Sequence, residues 1–157
     1  MQLRPALIRA VIVLTALIGR ESSSAFAQDD YNAPYTKENI APIGLFLNDD
    51  ATNGCWTNHK ETKTYAEAQL DLAGLELGER PRTNLFVTVL SERSKFGLCY
   101  GTVEISLRAF VPWGDGRAFV SLAQQIIPFK GASNANTIVL DQVKTFAVFL
   151  ASFPETN

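Results

Sequence analysis

The stretch Cys99–Val111, CYGTVEISLRAFV, alternates strictly. Cys99, Gly101, Val103, Ile105, Leu107, Ala109 and Val111 fall on one side, and Tyr100, Thr102, Glu104, Ser106, Arg108 and Phe110 on the other. Successive side chains of a strand point to opposite faces, so this pattern predicts a strand with one buried and one wetter face. Pro112-Trp113-Gly114-Asp115 reads as a four-residue hairpin loop, with Gly116–Ile127 returning as a second strand. If Val111 faces Gly116, then Ala109 faces Ala118, Leu107 faces Val120 and Ile105 faces Leu122. Apolar then meets apolar, and a slip by one residue would set Leu107 against Ser121.

Outward from this hairpin, Leu85–Leu90 (LFVTVL) follows the breaker Gly78–Pro81 and reads as a buried strand. Ile43–Leu47 is a short strand closed by the polar run Asn48-Asp49-Asp50. Between these two, Tyr65, Ala66, Gln69, Leu72 and Ala73 recur at helical spacing, with Lys60, Glu61, Lys63, Glu67 and Asp71 mostly elsewhere. Asn58 and Glu61 have the spacing of a capping box, and Gly74 supplies a left-handed C-terminal cap with Leu75 beside it. After a turn-rich connection from Pro128 to Asn136, Val139, Val143, Phe146, Ala147 and Leu150 mark a second helix. Asn136 can cap its start, and Pro154 ends it.

The order is βαβββα. Two amphipathic helices each need an apolar surface, and the strands offer one such face between them. The predicted fold is therefore α+β, a two-layer sandwich: a small antiparallel or mixed sheet with both helices on one face. The other face is left open. This element order resembles small envelope domains of the TolB amino-terminal type, in which helices cover one side of a short sheet. The resemblance is one of architecture and implies no activity.

The N-terminus carries Arg4 and Arg9, an apolar run over Ala10–Gly19, and Ala25-Phe26-Ala27. That is the layout of a secretory signal peptide over residues 1–27, the apolar run being shorter than the roughly 20 residues of a membrane-spanning helix. Cleavage near Ala27 predicts a chain exported to the periplasm or the extracellular space, with no transmembrane segment in its mature part. No cysteine closely follows the apolar run to carry a lipid, and Arg4 and Arg9 are not a twin-arginine pair. Residues 28–39, polar with Pro34, read as a flexible leader, and 40–157 as a single domain. Losing Arg4, Arg9, Arg20 and Glu21 takes Lys+Arg from 14 to 11 and Asp+Glu from 16 to 15, a net charge of −4. Such a surface does not attract nucleic acid or anionic lipid.

Two cysteines, Cys55 and Cys99, remain in an oxidising compartment, so an intramolecular disulfide is predicted. Cys55 opens the first helix and Cys99 opens the long strand on its covered face, so the two can meet. Closing a loop of that length stabilises by about 4 kcal/mol in the chain-entropy account. The competing reading takes NGCWTNH, Asn53–His59, as a reactive site, with Cys55 as thiolate nucleophile and His59 as its base. Cys55-Trp56 is similar to the cysteine–tryptophan pair of papain-like proteases, yet no histidine follows His59 to complete such a site. Read plainly, His59 is a solvated residue of the first helical turn, and Trp56 packs beside the disulfide. Asp49, Asp50 and His59 match no ligand spacing, so neither a metal nor a cofactor is expected.

The remaining candidate is the open face: Phe86, Thr88, Tyr100, Thr102, Glu104, Ser106, Arg108, Phe119 and Gln125, with Trp113 at the hairpin tip as an anchor. Aromatics, hydroxyls and a Glu104/Arg108 pair suit binding, although many antiparallel sheets show water a half-polar face. With no phosphate loop, nucleophile elbow or singled-out carboxylate pair, the sequence favours a small exported, non-catalytic module. Its partner would be an envelope protein or a small ligand. The alternatives are a thiol-dependent enzyme built on Cys55 and His59, and a small-ligand carrier with a pocket between helices and sheet.

Overall fold

The computed structural model describes residues 35–113 and 115–155, without the side chain of Trp113. The stretch read as a signal peptide and the first part of the leader lie outside the described residues. Seven elements follow in order: α1 (Lys37–Ile40), β1 (Ile43–Ala51), α2 (His59–Leu72), β2 (Thr83–Arg93), β3 (Cys99–Trp113), β4 (Gly116–Ala132) and α3 (Asn136–Ala151). Apart from the one-turn α1, this is the order βαβββα. The strands form one sheet in the order β1-β2-β3-β4. β1 runs parallel to β2, and the other pairs are antiparallel, so the sheet is mixed. A parallel neighbour requires a crossover, which α2 supplies.

Alternation places Leu85, Val87 and Val89 of β2 and Val103, Ile105 and Leu107 of β3 on one face, all buried. Over them lie Ala66 and Leu70 of α2 and Val139, Val143, Phe146 and Leu150 of α3, in one contiguous core. Each fully buried aliphatic side chain contributes about 1.5–3 kcal/mol relative to exposure. α2 ends as the sequence predicts: Gly74 takes φ +74°, its N–H donates to the Asp71 carbonyl, and the Leu75 N–H donates to the Leu70 carbonyl. These two bonds make a Schellman cap, and Leu75 is buried behind it.

Several local expectations need correction. The capping box is not made in its usual form. Asn58 has no side-chain bond to the helix backbone and instead donates through Nδ2 to Glu61 Oε2 at 3.0 Å. Asn136 does not cap α3 either; it joins Thr57, accepting from its N–H at 3.0 Å and donating to its Oγ1 at 2.9 Å. Asn48-Asp49-Asp50 belongs to β1, not to a loop, because an edge strand needs only one bonded side. β4 likewise runs through Pro128 to Ala132, since a proline at the edge can aim its missing N–H away from the sheet. Tyr35–Asn39, read as leader, folds onto the domain: Tyr35 stacks on Phe153 at 6.3 Å, and the Lys37 N–H donates to the Pro154 carbonyl.

The hairpin register also differs. Trp113 pairs with Gly116, Val111 with Ala118 and Ala109 with Val120, so the connection is two residues and the pairing is offset by two from the expected one. An even offset keeps every face assignment. Beyond it, however, Arg108 pairs with Ser121 and Leu107 with Ala123, leaving Leu122 as an extra residue. This β-bulge inverts the phase of β4. Ile105 consequently faces Gln125 rather than Leu122.

Candidate functional site

Because the helices occupy one face, the even-numbered residues of β1, β2 and β3 stand on the other. Phe46 stacks on Phe86 with ring centroids 5.2 Å apart. Phe86 meets Phe119 edge to face at 5.9 Å, and Phe119 lies 3.9 Å from Phe110. These four rings cross all four strands, and Phe46, Phe110 and Phe119 remain 47–50% exposed. Arg108 lies over Phe86, its guanidinium carbon 4.9 Å from the ring centroid. The same side chain donates to Glu104 Oε1 at 2.8 Å and to Ser106 Oγ at 3.0 Å, which holds its plane against the aromatic row. The predicted Glu104/Arg108 pair is therefore present and leans on phenylalanine.

Toward the other end of this face Tyr100 donates to Glu92 Oε2 at 3.0 Å. That hydrogen bond, and then the Glu92 charge, raise the Tyr100 phenol above its ordinary pKa. A groove of ≈ 640 Å³ runs beside it, lined by Asp50, Thr52, Leu90, Tyr100 and Thr102 among others. It follows the open face, not the helix–sheet boundary at which the carrier reading places its pocket. Gln125 is a correction: the bulge turns it to the helix side, where its Nε2 donates to Gln142 Oε1 of α3 at 3.1 Å. Ile126 takes its place on the open face, 52% exposed. Trp113 ends β3 opposite Gly116, and its side chain lies outside the described residues.

The opening cluster of the first helix is a joint. Cys55 and Cys99 are fully buried and disulfide-bonded, with Cα atoms 5.7 Å apart. Neither sulfur is available as a thiolate in this state, which removes the nucleophile on which the thiol reading depends. Trp56 is buried as expected. His59 is not simply solvated: it meets Trp56 edge-on at 4.3 Å, and its Nε2 lies 2.9 Å from Asp49 Oδ2. The approach lacks the angles of an aligned hydrogen bond. Sequence reading missed both this pair and Arg93. Arg93 donates to the carbonyls of Asn53 (2.8 Å), Gly54 (2.9 Å), Gly97 (2.6 Å) and Ser133 (3.1 Å), gathering three loops around the disulfide. Among the described residues no three His, Cys, Asp or Glu side chains cluster as a metal site. Among the same residues no helix is long and apolar enough to cross a membrane.

Fold and site together define a disulfide-tied α+β module with one helix-covered and one open, aromatic sheet face. No family model and no curated protein matches the sequence. Among solved structures, a variant PelC dodecamer from Paraburkholderia phytofirmans is similar at 12% identity and a TM-score of 0.43, over 77% of this chain and 91% of that one. A second PelC dodecamer from that organism matches at 11% identity and TM-score 0.38, over 73% and 88%. A minor lipoprotein from Acinetobacter baumannii matches at 12% identity and TM-score 0.26, over 72% and 97%. With TM-scores below 0.5, none of these likenesses assigns this chain a family or a function.

Proposed function

We propose that this chain is a small exported, non-catalytic binding module that captures an envelope component or another protein on its open sheet face. The observation that carries the reading is the row Phe46, Phe86, Phe119 and Phe110, three of its rings half-exposed and Phe86 buttressed by Arg108. Cross-strand ring pairs stabilise a sheet only modestly, whereas contiguous apolar surface with an arginine at its centre suits an interface. Tyr100 and Glu104 extend this surface along the face, and Trp113 ends β3 at the hairpin. The N-terminal charge and hydropathy pattern supports export, and a disulfide fits an oxidising compartment.

The test is in-cell crosslinking in the exporting host, comparing the parent chain with Arg108→Glu, Phe119→Ala and Trp113→Ala. The variants are expected to lose crosslinked partner at least severalfold while keeping the parent's far-UV circular dichroism. Undiminished capture in all three would overturn the open-face reading.

A further inference from the structure

Among the described residues both edges of the sheet are unpaired along most of their length, and they differ in charge. β4 carries neither charge nor proline from Ala118 to Ile127, and its charged residues, Arg117 and Lys130, are both basic. β1 carries Asp49 and Asp50 and no basic residue. Outside the β2 ladder, β1 is bridged at Ile43, where its N–H donates to the Glu76 carbonyl and its C=O accepts from the Gly78 N–H. In a parallel strand the two polar groups of one residue point the same way, so Leu45, Leu47 and Asp49 aim theirs outward too. Long uncharged edges invite another strand.

We propose that β4 accepts β1 of a second copy of this chain as a parallel fifth strand, head to tail. The pairing registers set the heights. Leu45 is level with Leu85, Leu107 and Ala123; Leu47 with Val87, Ile105 and Gln125; Asp50 with Leu90, Thr102 and Pro128. Sliding β1 of one copy against β4 of the next at equal height continues both layers. On the helix side, half-buried Leu45 meets half-buried Ala123, and half-buried Leu47 meets Gln125 with Ile127 on its diagonal. On the open side, Phe46 lies diagonal to Ile126, and Asp50 diagonal to Lys130, within reach of long side chains. Pro128 removes one donor from the ladder and leaves the rest. The symmetric alternatives are worse: β4 on β4 antiparallel brings Arg117 toward Lys130, and β1 on β1 joins two acidic strands. A head-to-tail contact closes into a ring or runs on as a filament. It is separable from the partner reading, because Arg108 at the centre of the face takes no part in it, although Phe46 belongs to both.

Strand addition alone buries little surface, so the contact belongs to the weak class, and concentrations should reach the order of 1 mM. The experiment is sedimentation velocity of the exported chain across a dilution series. The expected result is a mass that grows with concentration and returns to one protomer in Ile126→Lys. Asp50→Lys and Lys130→Asp should each weaken association about two- to fivefold, and mixing the two should restore it. Arg108→Glu should leave association intact even where it abolishes partner capture. A single protomer at every concentration overturns the proposal, as does an oligomer indifferent to Ile126→Lys. Should Ile126→Lys fail to fold, the outcome rests on the mixed charge variants: association not restored on mixing overturns it.

Discussion

The two faces of this sheet are written in alternate residues of the same strands, and they solve opposite problems. On the covered face of β3, Val103, Ile105 and Leu107 are at most 1% exposed and belong to the apolar core. On the open face Glu104, Ser106 and Arg108 bond to one another, and the adjacent rings stay half in water. The difference teaches where stability and recognition reside. Removing atoms from the first face leaves a cavity, while removing them from the second exposes backbone that water already reaches.

The comparison can be broken hardest at the joint of the covered face. Replacing Cys55 and Cys99 together by alanine should lower unfolding stability by about 4 kcal/mol, read as the urea midpoint against the unreduced parent. An unchanged midpoint would mean that Arg93 and its carbonyl partners already hold the loops. Next in size, Ile105→Ala should cost about 3 kcal/mol, against less than about 1 kcal/mol for Phe119→Ala. Equal costs would mean that the aromatic row is structural, which would weaken its reading as an interface. Smallest is Glu92→Gln, which should bring the Tyr100 titration back toward the ordinary tyrosine range, followed by phenolate absorbance. The sign is fixed: a raised folded pKa favours the folded state while the phenol is protonated, and that contribution fades only as pH rises through the folded value. No change in the titration would mean that Glu92 is not the cause.

The covered half of the fold was legible because burial leaves a periodic trace. Cys99–Leu107 alternates, α2 and α3 repeat at helical spacing, and Gly74 marks its own left-handed turn. The errors cluster where an edge relaxes the rules. Asn48-Asp49-Asp50 and Pro128 look like loop residues, but β1 and β4 have one unbonded side and tolerate them. The bulge left no mark, because Leu122 and Ala123 are both apolar and Gln124-Gln125-Ile126-Ile127 does not alternate, so no change of phase shows. That silence is why counting by twos from the hairpin sets Gln125 on the open face. For the candidate site, Arg108, Glu104 and Phe119 could be placed by counting from Cys99 and from the hairpin. Phe46 could not, since its neighbour Phe86 comes through a parallel pairing across a helix. Asp49–His59 and the four carbonyls of Arg93 are contacts between distant segments, and single-sequence periodicity says nothing about those.

The extra residue at Leu122 bears on which insertions and deletions the gene for this chain can accept. Deleting one residue from an ordinary stretch of β4 would turn everything on one side of the gap over, sending apolar residues to water and polar ones under the helices. Deleting Leu122 would instead join Ser121 to Ala123, already opposite Arg108 and Leu107, and close the ladder without moving either half to the other face. The bulge is thus a site where the reading of the strand can lose a letter and keep its meaning.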